Sequence, residues 1–362
     1  MSSLSGKKYT IDIFGESHSR AIGVVIGGVP AGTPIKVEDI DAFLSRRRPS
    51  DGVHSTTRRE KDAAEILSGV LDGFATGAPI AVIIENADTR SSDYESLKGV
   101  FRPSHSDYAA YVKYGGFNDV RGGGQFSGRL TAPLCAAGSI ALNILRGRGV
   151  EVTAYISRVG AAKALSYKEV GDVEAFFTAD KIREIKSAEC PLLDKSRKDA
   201  IIEEIAAAAK VGDSVGGIIE CVITGLPAGV GEPNYDGLEG LISKILFAVP
   251  AVKGVEFGVG FDISAMRGSV ANDALYFDGD RVKTRTNNCG GITGGISNGM
   301  PITFGAAFKP VPSIYAEQDT IDIKNRKNTK LSISGRHDAC IVPRAVPVVE
   351  AAAACALLDL LI

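Results

Sequence analysis

The sequence contains four histidines, and three of them sit where proton transfer would be useful. His18 lies in FGESHS, just after a strand-like run; His105 lies in FRPSHSDY; His337 lies in GRHDAC, ahead of an apolar C-terminal stretch. Each has Ser or Asp close by to orient a ring nitrogen, and Arg102 and Arg336 stand within three residues of His105 and His337. Imidazole titrates near neutral pH, which makes such a residue the natural proton donor to a leaving phosphate or a heteroatom. His54, in DGVHSTT, reads as a solvated loop residue. Arginines form a second constellation: Arg46–Arg48, Arg58–Arg59, Arg102, Arg121, Arg129 and Arg336. Planar guanidinium groups bind carboxylate and phosphate bidentately. Solvated helix ends explain Arg46 and Arg59, whereas Arg102, Arg129 and Arg336 are embedded in Gly-rich or His-bearing motifs. Glycine makes up 42 of 362 residues, well above the usual ~7%. It lets backbone N–H groups come close to an anion. Together these residues predict a small, multiply anionic ligand, held by arginine and protonated by histidine.

Other chemistries lack their residues. GGGQFSGR is no nucleotide loop, because GxxxxGK[ST] is absent, and no GxGxxG fingerprint opens a helix. HExxH and paired Cys/His spacings, which a zinc site needs, are missing. Ser17 and His18 are no catalytic pair by adjacency alone, since neighbours along a strand face opposite ways. A net charge of −2 argues against a nucleic-acid surface. The six cysteines (135, 190, 221, 289, 340 and 355) lie far apart and read as buried or free thiols of a reducing cytosol. No apolar run approaches the roughly 20 residues of a membrane helix, and MSSLSGKKYT has no signal-peptide core. We therefore expect a cytoplasmic enzyme that works neither on nucleic acid nor in a membrane.

These residues need elements to hold them. Tyr9–Phe14 and Ala21–Gly27 read as strands, and 37–48 as a helix with Glu38 and Asp39 in its first turn. Ala64–Leu71 and Ile80–Glu85 should form a hairpin across the turn-rich segment 73–79. From 94 to 128 the chain is dense in Gly, Ser, Pro, His and Arg, and predicts a long functional loop system. The segment 130–146 is apolar nearly all round, which predicts a buried helix. Strands are expected at 151–159, 217–224 and 254–259, helices at 196–210 and 235–247, a second Gly-rich loop at 285–300 and a buried helix at 345–362. VIGGVPAG around Gly28 is echoed by VITGLPAG around Gly225, a candidate internal duplication. The expected fold is α+β: a layered β-α-β sandwich with buried helices between antiparallel sheets, as one domain over 1–362.

The motifs FGESHS, RRRPSDGVHSTTRREKD, IENADTRSSDY, FRPSHSDY, RGGGQFSGR, TNNCGGITGGISNG and GRHDAC, in this order, resemble the chorismate synthase family from about residue 9 onward. The resemblance implies a 1,4-trans elimination of phosphate from 5-enolpyruvylshikimate 3-phosphate, assisted by reduced FMN with no net redox change. NADP is associated with the family, with the source of flavin reduction left open, and the family assembly is a homotetramer. By the same resemblance His105 would protonate the departing phosphate and His18 would act at the flavin's pyrimidine edge. Asp338 would help the flavin accept the substrate proton, with Ser17 and Ser127 as relays. Arg47, Arg48, Arg102, Arg129 and Arg336 would clamp the substrate. Flavin contacts would fall on Gln125, Phe126, Ser127, Ala251, Gly294, Lys309, Pro310, Val311, Pro312, Ser313 and Arg336. No metal is implied.

Four positions, in three motifs, depart from the family's usual pattern. Ser19 replaces a glycine beside His18, Gln125 and Phe126 replace Arg and Ser in the Gly-rich motif, and Val53 replaces an arginine. A binding protein that has lost catalysis is the alternative, and retention of His18, His105 and Asp338 favours the enzyme.

Overall fold

A computed structural model describes residues 4–48, 62–86, 99–333 and 338–362. His54, Val53, Arg58, Arg59, Arg336 and His337 lie outside the described residues. The elements that position the site are β1 (Thr10–Gly15), β2 (Ala21–Gly27), α1 (Val37–Ser45), β3 (Ala64–Ser68), β4 (Ile80–Glu85), α2 (Asp107–Tyr114), α3 (Thr131–Gly147) and β5 (Glu151–Val159). They continue as α4 (Lys198–Lys210), β6 (Gly217–Thr224), α5 (Leu238–Ala248), β7 (Val252–Phe257), β8 (Ile302–Phe308) and α6 (Val342–Leu361).

Two antiparallel five-stranded sheets face each other across the helices. The first runs β1-β2-β4-β3, with Leu4–Ser5 pairing beside β1. The second runs β5-β6-β8-β7, with Ala162–Lys163 beside β5. In β2, Ile22, Val24 and Ile26 are fully buried while Val25 faces out, the alternation of a sheet with one covered face. Helix α3 packs on the first sheet and α6 on the second, and the two helices pack on each other. Small side chains permit this: a Cβ on Gly138 of α3 would stand 2.2 Å from the Cβ of Ala351 in α6. Gly138 is therefore a point of close approach between the central helices, where a larger residue would force them apart.

The echoed glycines occupy equivalent places. Gly28 leaves β2 with φ +81° and Gly225 leaves β6 with φ +79°, a backbone region that favours glycine. A Cβ on Gly28 would lie 1.7 Å from the Lys8 carbonyl, just before β1, and one on Gly225 2.0 Å from the Gly149 carbonyl, just before β5. With the same strand order in both sheets and one central helix on each, the two halves are pseudo-symmetric, as the echo suggested.

Several expectations are corrected. The helix expected over 37–48 ends at Ser45, and Arg46–Arg48 form a turn after it. Arg46 is no solvated helix end: Nη1 lies 2.5 Å from the fully buried Glu350 of α6, whose carboxylate also accepts the Ala154 amide. The loop region 94–128 contains α2, and the 285–300 loop contains a short hairpin of Ile292–Thr293 with Ile296–Ser297. Segment 128–147 is long and apolar enough by composition to cross a membrane, yet most of it is buried between the sheets. The six cysteines are free thiols, four of them buried.

Candidate active site

The Gly-rich motif forms a tight turn at the centre of the candidate site. Gly122, Gly123 and Gly124 all have positive φ (59°, 90° and 54°), a run that residues bearing a Cβ adopt only with strain. The turn also brings two histidines together. A Cβ on Gly122 would stand 2.4 Å from Ser17 Oγ and 2.5 Å from His18 Cε1; one on Gly123 would stand 3.3 Å from His105 Nε2 and 3.8 Å from Ser127 Cβ. The Ser17 amide donates to the Gly124 carbonyl at 3.2 Å, tying the β1–β2 connection to the turn. Ser17 is fully buried, and its Oγ has no hydrogen-bonding partner among the described residues. Asp119, paired with Arg121 at 2.7 Å, adds a carboxylate near His18.

His105 is held from behind. Its Nδ1 lies 2.6 Å from Oδ1 of Asp107, at the start of α2. The same carboxylate accepts from Arg102 Nε at 2.7 Å and Nη2 at 2.8 Å. Burial opposes ionisation of Asp107, but the bonds from Arg102 and His105 outweigh it and hold the carboxyl well below the usual aspartate range. For His105, burial is the largest influence and lowers the imidazole pKa; the Asp107 bond raises it, and the charges of Arg102 and Lys309 lower it again. The net lowering describes a neutral ring that donates Nδ1–H to Asp107 and leaves Nε2, on the Gly123 side, as an acceptor.

Around this pair the segment 309–313 closes the wall. Arg102 Nη1 donates to Ser313 Oγ at 3.3 Å, and Lys309 Nζ donates to the Ser104 carbonyl. The Lys309 amide donates to the Ala251 carbonyl at 2.9 Å, and Ser214 Oγ to the Val311 carbonyl at 2.7 Å. Ala251 (φ +75°) and Ser104 (φ +61°) are non-glycine residues in the left-handed region, local strain at a candidate site.

Two of the arginines expected to clamp the substrate, Arg47 and Arg129, converge on one carboxylate. Asp62, 2% exposed, accepts from Arg129 Nη1, and from Arg47 Nη2 at 2.8 Å, while Arg48 Nη2 donates to its backbone carbonyl at 3.3 Å. Burial opposes the Asp62 charge, but Arg47 and Arg129 together hold its carboxyl below the ordinary value. Asp338 accepts from Arg344 Nη1, and Arg344 Nε donates to the Arg47 carbonyl at 3.1 Å.

The structure thus gathers Ser17, His18, His105, Gln125, Phe126 and Ser127 at the glycine turn. It sets Arg102, Lys309, Ser313 and Ala251 behind His105, and Arg47, Arg48 and Arg129 around Asp62. The Phe126 ring lies 6.5 Å from that of Tyr114, so this departure from the usual motif is packed against α2. Ser19 does not need a glycine backbone: its φ is outside the left-handed region, and its hydroxyl accepts the Glu16 amide at 2.9 Å. Gly294 turns the short hairpin over Ile292–Thr293 and Ile296–Ser297, and no atom stands within 4 Å of where its Cβ would be. Sequence reasoning missed Asp107, Asp62, Asn86 and Arg344. Only Asp107, two residues beyond His105, carried a local signal.

A profile of the chorismate synthase family matches residues 9–362. The chain belongs to the chorismate synthase family. A chorismate synthase of Dehalococcoides mccartyi is 46% identical over 360 residues, spanning 99% of this chain and 96% of the relative. One from Thermococcus kodakarensis is 44% identical, spanning 98% and 96%. A solved chorismate synthase crystal structure superposes with a TM-score of 0.75 at 27% identity, covering 99% of this chain and 92% of that one. Chorismate synthases are lyases of the shikimate pathway that eliminate phosphate from 5-enolpyruvylshikimate 3-phosphate, and the family implies a flavin cofactor. The layered α+β architecture read from the sequence is the one this family adopts.

Proposed function

We propose that the chain, working as one unit over residues 1–362, makes chorismate by 1,4-trans elimination, with His105 as proton donor to the departing phosphate. The observation that carries this reading is the direction of the ring: Asp107 holds Nδ1 at 2.6 Å, which turns Nε2 toward the glycine turn opposite Ser17 and His18. Burial first, and then the charges of Arg102 and Lys309, keep His105 neutral until an anion arrives. A phosphate dianion beside Arg102 and Lys309 would offset those charges and raise the imidazole pKa, so the acid would form on substrate binding.

The residues present fit a flavin. Ser17 Oγ is a buried hydroxyl without a partner among the described residues, and the glycine turn leaves a cradle that a Cβ would fill. Gln125, Phe126, Ser127, Ala251, Gly294, Lys309–Ser313 and Arg336 are the residues assigned to hold FMN, and His18 would face its pyrimidine edge. Reduced FMN, when bound, lends electron density to the breaking C–O bond with no net redox change. Arg47, Arg48, Arg102, Arg129 and Arg336 would hold the substrate's two carboxylates and phosphate. Asp338, held by Arg344, would assist acceptance of the ring proton, with Ser17 and Ser127 as relays.

We take the working form to be a cytoplasmic homotetramer. The apolar helix α6 does not argue for this, because its burial is within the chain. Phe117, Tyr235, Phe261 and Phe277, all at least 79% exposed, are large apolar side chains that such an assembly could cover. The test of the reading is anaerobic turnover with reduced FMN and 5-enolpyruvylshikimate 3-phosphate, following chorismate and phosphate together. His105→Ala should slow turnover by ~10²–10⁴ with substrate still bound; full activity would refute the assignment.

A further inference from the structure

Asn86 stands immediately after β4, and its side chain joins two parts of the site that come from different segments. Its Nδ2 donates to the Glu16 carbonyl at 3.1 Å and the Ser19 carbonyl at 2.8 Å, the residues on either side of Ser17–His18. Its Oδ1 accepts from Arg129 Nε at 2.9 Å. The Asn86 amide also donates to the Arg20 carbonyl at 3.1 Å. The His18 turn is closed from within by Ser19, whose Oγ accepts the Glu16 amide and lies 2.7 Å from both the Glu16 and Ala21 carbonyls. A hydroxyl has one hydrogen and can satisfy only one of those carbonyls; the Ser19 amide donates to the Glu16 carbonyl at 3.1 Å, and the Ser19 carbonyl takes its donor from Asn86. Arg129, for its part, reaches Asp62 through Nη1 and the Glu85 carbonyl through Nη2, which leaves Nε to Asn86.

We infer that Asn86 is a positioning residue that couples the His18 turn to Arg129, so that one amide sets both the placement of the imidazole and the direction of the guanidinium. The inference rests on the proposed reading that Arg129 binds substrate and His18 acts in the site. The group has to be an amide. Two donors are needed for the two carbonyls and one acceptor for Nε, and no other side chain of this size carries both on one planar head. An aspartate would still satisfy Arg129 but would press a carboxylate oxygen against the Glu16 and Ser19 carbonyls and move the turn.

The test compares wild type, Asn86→Asp, Arg129→Lys and the double variant in anaerobic steady-state kinetics, with thermal melts to confirm folding. Asn86→Asp should lower kcat and raise KM together, by at least tenfold in kcat/KM. Arg129→Lys should act mainly on KM. Because the two residues act through one contact, the double variant should lose less than the product of the single losses. Asn86→Asp within twofold of wild type, or single losses that multiply fully, would overturn the inference. Unchanged kinetics in Arg129→Lys would instead overturn the substrate-clamp reading, whatever Asn86→Asp does. Should Asn86→Asp not fold, Asn86→Ser, which keeps a donor and an acceptor, is read by the same criteria. Unfolding of both would assign Asn86 to the fold and end the proposal.

Discussion

Replacing Asp107 by asparagine changes the charge behind His105 while keeping the shape of the side chain. In the native arrangement one carboxylate oxygen sits 2.6 Å from His105 Nδ1, and the two oxygens accept two N–H groups of Arg102 at 2.7 and 2.8 Å. Arg102 also sends its own amide to this carboxylate at 3.1 Å. An asparagine has a single oxygen, and three donors of Arg102 compete for it. The NH2 group then faces Nδ1, which favours the Nε2–H tautomer and opposes the imidazolium. A hydrogen bond to a charged group contributes about 1.5–3 kcal/mol, and at 1.4 kcal/mol per decade its loss should slow proton delivery roughly 10- to 150-fold. Loss of the group that raises the His105 pKa lowers it further, so the limb of the pH–rate profile that requires the protonated acid should move to lower pH. KM should change little, because Arg102 keeps Ser313 as a partner. The assay is anaerobic single turnover with reduced FMN across about two units on either side of the ordinary imidazole value of ~6.5. A rate within twofold of wild type, or an effect on KM alone, would refute the argument.

Three further outcomes are expected. Gly122→Ala places a methyl 2.4 Å from Ser17 Oγ on a backbone with φ +59°; titration should show weakened binding of reduced FMN, and wild-type affinity would show that the cradle is not used. Asp62→Ala leaves Arg47 and Arg129 without their shared counter-charge and should cost about 3–5 kcal/mol in urea unfolding. The Asp62 pKa is lowered in the folded chain, so its contribution is complete above the ordinary aspartate value and is lost as pH falls through the folded one; the variant should be flatter in that acid range. Gln125→Arg should tighten reduced FMN or substrate by up to about tenfold for each 1.4 kcal/mol regained, whereas unchanged or weaker binding of both would show that Phe126, packed near Tyr114, has rebuilt the loop.

Much of this protein was legible without coordinates. The alternation of β2 and the apolar run of α3 specify their own burial, since a strand or helix of that pattern has only one way to hide its surface. The positive-φ turn at 122–124 follows from three consecutive glycines, whereas the pairing of His105 with Asp107 left only a local signal, a spacing of two residues, that the sequence reading passed over. The family's motifs named the proposed reacting groups in the same local way. What the tertiary structure decided is who meets whom over long separations. Arg46 finds Glu350 across 304 positions, Arg129 finds Asn86 across 43 and Asp62 across 67, and Asp107 shares Arg102 with Ser313 at a distance of 211. An arginine in a sequence is a charge of unknown address. It became a clamp, a scaffold or a core pair only when the two sheets and the central helices packed, because burying a charge is tolerable only where the fold brings a partner to it.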